Sequence, residues 1–85
     1  MHKLRDNGLV WNVVGEDIVV LDLDGSVYLQ VNGSGRVLWE ALSNGSTQQE
    51  MARLLRERFE IGDDRARADV ASFLDDLGRR GLLAA

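Results

Sequence analysis

The chain has 85 residues, with 10 Lys and Arg against 14 Asp and Glu and a formal net charge of −4. That length argues for one domain over residues 1–85, with a modest core. The acid excess speaks against a generic binder of phosphate backbones. Cysteine is absent, so a disulfide framework, a thiolate metal site and a thiol nucleophile are excluded, and the composition suits a reducing cytoplasm.

Met1-His2-Lys3-Leu4-Arg5-Asp6 lacks the apolar run of a signal peptide. No stretch approaches the ~18 apolar residues of a membrane span. Residues 1–8 are polar and are expected to be flexible, with late folding back as the alternative. Leu9-Val10-Trp11-Asn12-Val13-Val14 reads as a first strand. Gly15-Glu16 follows, a two-residue connection with Gly first, as a type II′ turn prefers. Asp17-Ile18-Val19-Val20-Leu21-Asp22-Leu23 is a second strand whose nearly continuous apolar character suits a central position. Asp24-Gly25 is a strong hairpin signal. Ser26-Val27-Tyr28-Leu29-Gln30-Val31 is then a third strand, rich in β-branched and aromatic residues. Alternation places Val27, Leu29 and Val31 on one face, and Tyr28 and Gln30 on the other.

At Asn32-Gly33-Ser34-Gly35 the hydrophobic period changes from 2 to about 3.6. Ser34 is the expected cap of a helix over about 34–43, with Val37, Leu38, Ala41 and Leu42 as its buried stripe and Trp39 beside it. Ser43-Asn44-Gly45-Ser46 breaks it. Thr47 with Glu50 fits a capping box for a second helix running to about Phe59. Met51, Leu55 and Phe59 line one face of it, with Leu54 adjacent. Asp63 or Asp64 starts a third helix, acidic at its N-terminal end as the dipole favours. Its stripe is Ala66, Val70, Phe73, Leu74 and Leu77. Gly81 is a good C′ residue, and Leu82 and Leu83 are expected to fold back onto the core.

The predicted fold is therefore α+β: a three-stranded antiparallel β-meander followed by three helices that cover one face of the sheet, a winged-helix-like layout. The third strand ends the sheet. It carries none of the Pro, Lys or Arg that blunt an exposed edge. An open edge of this kind is suited to recognising an extended peptide by strand addition. Ordering a peptide residue costs ~1–2 kcal/mol, and each net hydrogen bond returns ~0.5–1.5 kcal/mol. Main-chain pairing thus roughly cancels its own cost. Apolar anchors must supply most of the affinity, at ~1.5–3 kcal/mol per fully buried side chain.

The candidate binding residues follow from that requirement. Val27, Tyr28, Leu29, Gln30 and Val31 form the edge strand. Val70, Phe73 and Leu77 offer an opposing wall if the third helix runs alongside, although each also fits an ordinary core stripe. Met51 and Leu55 are candidates for the floor, and fit the core better than the groove. Asp69 and Asp76 lie two helical turns apart on nearly one face, where they would meet Lys, Arg or backbone N–H groups of a guest. With Asp75, they are equally readable as a solvated face. Trp39 reads as a core plug, and Trp11 as core or as cover for the other sheet edge. Asp22 and Asp24 resemble a carboxylate pair, but Asp24 belongs to a turn, which disfavours a catalytic or metal role. His2 sits in the N-terminal segment and is a poor candidate for a base or ligand.

This ordered set of residues resembles the PqqD-like family of peptide-recognition domains, the recognition elements of ribosomally made, modified peptides. The similarity is closest to the stand-alone type that serves lasso peptide biosynthesis. It is carried by Val20-Leu21-Asp22-Leu23-Asp24-Gly25, Tyr28, Asn32-Gly33-Ser34-Gly35, Val37-Leu38-Trp39-Glu40-Ala41-Leu42 and Asp69-Val70…Phe73-Leu74-Asp75-Asp76-Leu77…Gly81-Leu82-Leu83. Gly33 departs from it, since many relatives have Pro after the Asn. The resemblance implies a cytoplasmic, non-enzymatic adaptor without a cofactor. Its partner would be the leader segment of a precursor peptide, added as a strand beside the third β-strand and walled by the third helix. The adaptor would present the precursor to a separate cysteine-type leader peptidase, and in lasso systems an ATP-dependent macrocyclase follows.

Three rival readings remain. An enzyme is disfavoured, because the chain has no internal His, no Gly-rich phosphate loop and no metal-spaced ligand cluster. A small winged-helix DNA binder needs a basic recognition helix. Residues 63–80 instead set Arg65, Arg67, Arg79 and Arg80 against Asp63, Asp64, Asp69, Asp75 and Asp76. The third alternative is a homodimer formed without ligand, in which strand 26–31 pairs with its own copy.

Overall fold

The computed structural model describes residues 1–23 and 27–84. The chain runs through β1 (Leu9–Val14), β2 (Asp17–Asp22), β3 (Val27–Val31), α1 (Gly33–Asn44), α2 (Gln48–Arg58) and α3 (Asp63–Arg79). The sheet is antiparallel in the order β1-β2-β3, as the meander predicts. Val14 pairs with Asp17 across a two-residue turn in which Gly15 takes φ 63°, the positive value required at a first turn position. The predicted Asp24-Gly25 hairpin and the start of the third strand at Ser26 lie outside the described residues.

The register puts Ile18, Val20 and Asp22 opposite Val31, Leu29 and Val27. These β2 residues are buried, whereas Leu21 and Tyr28, themselves a cross-strand pair, stay exposed on the other face. One face of the sheet therefore packs on the helices. α1 contacts β2 and β3, and α2 packs between α1 and α3. Leu38, Trp39 and Leu42 from α1, Met51 and Leu55 from α2, and Val70, Leu74 and Leu77 from α3 close the core. Trp39 is fully buried, and the half-buried Trp11 meets it edge to face at 6.2 Å and 82°.

Capping sets the helix ends. Thr47 accepts from the Glu50 N–H, and the Glu50 carboxylate accepts from the Thr47 N–H, so the predicted capping box is present. α1 differs from expectation. Its N-cap is Asn32, and Ser34 lies inside the first turn. Gly33 adopts φ 54° there, so the helix opens before the serine is reached. At the end of α3, Gly81 takes φ 72°, its N–H donates to the Gly78 carbonyl, and the Leu82 N–H donates to the Leu77 carbonyl. That double bond pattern is a Schellman cap, and it turns Leu82 into the core.

The N-terminal segment, expected first of all to be flexible, is instead folded back. His2 bridges to Ser46 and Leu4 to Leu83, and the Leu4 side chain joins the core. No helix is long and apolar enough to cross a membrane.

Candidate functional site: an open strand edge beside the third helix

The hairpin between β1 and β2 determines which way every main-chain group of the sheet points. In an antiparallel ladder, facing residues alternate between pairs that exchange hydrogen bonds and pairs that do not. The pair flanking a two-residue turn exchanges them, so Val14 and Asp17 do. Counting along the register, Val19, Leu21 and Leu23 turn toward β1, and the Leu23 N–H donates to the Gly8 carbonyl at 2.8 Å in agreement. Ile18, Val20 and Asp22 consequently turn toward β3 and engage Val31, Leu29 and Val27. The N–H and C=O groups of Tyr28 and Gln30 are left pointing away from the sheet. Among the described residues, no backbone bond joins β3 to any segment other than β2. The folded-back N-terminal segment pairs with residues 42, 46 and 82–84 and leaves this rim alone.

Side chains beside the rim divide by burial. Leu29 is half-buried and Val31 buried on the helix side, while Tyr28 is 61% exposed and Gln30 exposed on the other. Gln30 is fixed there by donating to the Asp17 carboxylate at 2.5 Å. Val27 belongs to the strand by its main chain; the expectation for its side chain lies outside what is described.

Two points of contact show how α3 runs relative to β3. A Cβ built on Gly35 would lie 3.5 Å from Val31 Cβ and 3.6 Å from Phe73 Cε1, so Phe73 sits at the Val31 end of the strand. Arg5 links the Gly81 carbonyl to Asp22, the partner of Val27, so the end of α3 sits at the Val27 end. Phe73 to the helix end at Arg79 spans about 9 Å, and Val31 to Val27 about 13 Å of strand. The third helix therefore runs antiparallel to β3, its C-terminal end lying toward Asp22 and the Val27 end of the strand. Its main chain packs on α2 and stands off from β3, which leaves a groove between strand and helix.

The half-buried Phe73 is the apolar side chain that α3 offers this groove. Val70 and Leu77, predicted as walls, and Met51 and Leu55, predicted as floor, are completely enclosed. They support the groove from beneath and have no surface to give a guest. The reason is periodicity: a helix that packs on α2 and the sheet buries its whole apolar stripe, and only the residue at the stripe's margin reaches the groove. Asp69 and Asp76 share a cleft of about 580 Å3 with Phe73, Asp75, Ser72 and the first two turns of α1 at Ser34, Gly35 and Leu38. These aspartates are paired along the helix, Asp69 with Arg65 at 3.8 Å, Asp75 with Arg79 at 2.7 Å and Asp76 with Arg80 at 3.2 Å.

The first turn of α1 was missed from sequence, because α1 reads as a core helix. The available signal was Gly35, a glycine inside a helical pattern, which marks a close approach. A second cleft, of about 360 Å3, lies between α2 and α3 and is lined mainly by polar groups, including Arg56 and Arg67. Both arginines are engaged by Asp63, and no strand edge opens onto it. Among the described residues, no group of three or more His, Cys, Asp or Glu is placed to hold a metal ion.

Comparison with known proteins agrees with this architecture. The family of coenzyme PQQ synthesis protein D (PqqD) matches residues 17–83. The structure of TbiB1 in complex with the TbiA(beta) leader peptide superposes with a TM-score of 0.89, at 20% identity, covering 98% of this chain and 95% of that one. A lasso peptide synthetase B1 complexed with its leader peptide gives 0.87 at 21% identity, covering 99% and 98%. No curated protein matches the chain.

Proposed function

The chain belongs to the PqqD family, and from that premise we propose that it is a non-catalytic adaptor. It binds the leader segment of a ribosomally made precursor, of the lasso type, by strand addition to β3. The observation that carries this reading is the outward set of main-chain groups at Tyr28 and Gln30, facing a groove whose far wall is α3. The two structural neighbours are complexes with leader peptides, which supports the same class of ligand here.

The groove offers apolar surface toward the energetic requirement. Micromolar binding needs about −8 kcal/mol, and Leu29 and Phe73 are each half-buried, so both have apolar surface left to bury under a guest. A leader strand would direct alternate side chains onto them. The adaptor would then deliver the precursor to a separate cysteine-type leader peptidase in the cytoplasm, ahead of macrocyclisation.

DNA binding is not favoured. Each arginine of α3 that would form a phosphate-binding stripe is already paired on its own helix: Arg65 with Asp69, Arg67 with Asp63, and Arg79 with Asp75. Just beyond the helix, Arg80 pairs with Asp76.

The test is a fluorescence anisotropy titration with labelled leader segments of the precursor peptides encoded beside this chain. Saturable binding to the unaltered protein and its loss in Leu29→Asp, with the helical circular dichroism kept, are the expected results. Equal binding by Leu29→Asp would remove the groove from consideration. Tight, salt-sensitive binding to random duplex DNA would reverse the order of the two readings.

A further inference from the structure

The N-terminal segment reaches the end of the groove, and it does so through one side chain. Arg5 Nη2 donates to Asp22 Oδ1 at 2.5 Å, and Nη1 donates to the Gly81 carbonyl at 2.8 Å. Its Nε donates to the Asn7 carbonyl at 2.8 Å, and its main-chain N–H donates to the Leu82 carbonyl at 2.9 Å. Asp22 is only 4% exposed, on the helix-facing side of the sheet. A carboxylate there requires a charged or strongly hydrogen-bonding partner. The guanidinium meets that requirement, and its Nη1 also donates to the Gly81 carbonyl just past α3. One side chain thus bridges the sheet, at the position paired with Val27, to the C-terminal end of the helix that walls the groove.

The arm is positioned for this by contacts of its own. Leu4 is buried, its N–H donates to the Leu42 carbonyl, and the Ala84 N–H donates to the Lys3 carbonyl. At the other end of the groove the spacing is set by the packing of Phe73 over Gly35 and Val31. Between these two points the main chain of α3 stands off from β3. The buried Leu74 and Leu77 fix these last turns on the core, and the Arg5 bridge adds a direct tie from the sheet to the residues that follow them. Arg5 lies in the N-terminal arm, before the residues 17–83 that match the family.

We propose that Arg5 is a positioning residue for the peptide groove: by tying Asp22 to the end of α3, it sets the width of the groove at the Val27 end. The inference rests on the reading of that groove as a leader site, and it is tested so that the two can fail separately. The chain has no cysteine, so spin labels can be placed cleanly at Asn12→Cys on the exposed face of β1 and at Gly78→Cys. A Cβ at Gly78 meets no atom within 4 Å.

The interspin distance distribution needs no ligand. It is expected to be narrow in the otherwise unaltered chain, broadened or displaced in Arg5→Ala, and partly restored in Arg5→Lys. Leader affinity is expected to fall about tenfold in Arg5→Ala, as if the competent width were populated about one-tenth of the time. Thr47→Ala, which removes the cap of α2 away from the groove, controls for lost stability and should change neither readout. If Arg5→Ala does not fold, Asp22→Asn weakens the same tie with less change in shape. An unchanged distance distribution in folded Arg5→Ala overturns the proposal, and so does a changed distribution with unchanged affinity. A changed distribution in a protein whose unaltered form binds no leader upholds the tie and overturns the leader reading instead.

Discussion

Phe73 lies against Gly35, close enough that a Cβ at the glycine would stand 3.6 Å from Phe73 Cε1. That is ordinary van der Waals contact, so the fold has room for a methyl group there while the groove end does not keep its open seam. Gly35→Ala should stabilise α1 by about 0.5–1 kcal/mol, the usual gain when a helical glycine becomes alanine. It should weaken leader binding by about 0.8 kcal/mol, the worth of one CH2-sized space. Thermal unfolding and anisotropy titration of the same sample read the two effects, which are expected to have opposite signs.

Proline substitutions separate the two edges of β3. Tyr28 and Gln30 direct their N–H groups outward, while those of Leu29 and Val31 serve the ladder to β2. Tyr28→Pro and Gln30→Pro should therefore fold and lose about 0.5–1.5 kcal/mol of leader affinity for the deleted donor. Leu29→Pro should disrupt the sheet itself. Undiminished leader binding by both outward variants would contradict pairing at this edge.

Glu50 links stability to acid. The Thr47 backbone N–H bonded to its carboxylate, followed by the Thr47 side chain, holds its pKa below the ordinary value. A lowered folded-state pKa means that the unfolded chain takes up the proton first. The contribution is therefore complete above the unfolded glutamate value of about 4.3 and is lost as the pH falls through the lower folded one. The difference in melting temperature between the unaltered chain and Glu50→Gln should be constant near neutrality and shrink below about pH 4. A difference that does not change with pH would mean that the charged form of the capping box adds nothing.

The strands and the helices could be read from sequence because their signals are local. Alternation in Val27-Tyr28-Leu29-Gln30-Val31, the Thr47 and Glu50 pair, and Gly81 after an amphipathic run each act within a few residues. What was not legible depends on distant parts of the chain. Nothing near Arg5 announces that it will meet Asp22 and Gly81, and nothing near Leu4 announces a bridge to Leu83. Val70, Leu77, Met51 and Leu55 carry the same apolar pattern whether they line a groove or lie beneath it. Only the packing of α3 on α2 decides that they lie beneath. Ser34 and Asn32 are comparable caps by residue type, and the helix opens at Gly33, so the cap falls on Asn32, two residues before the one expected.

The most direct measurement is residue-resolved amide hydrogen exchange with and without leader peptide. Tyr28 and Gln30 should exchange fast in the free protein and become protected on binding, while Leu29, already bonded to β2, changes little. Protection that leaves Tyr28 and Gln30 untouched, or that appears instead at Leu9, Trp11 and Val13 on the outer edge of β1, would contradict strand addition at β3.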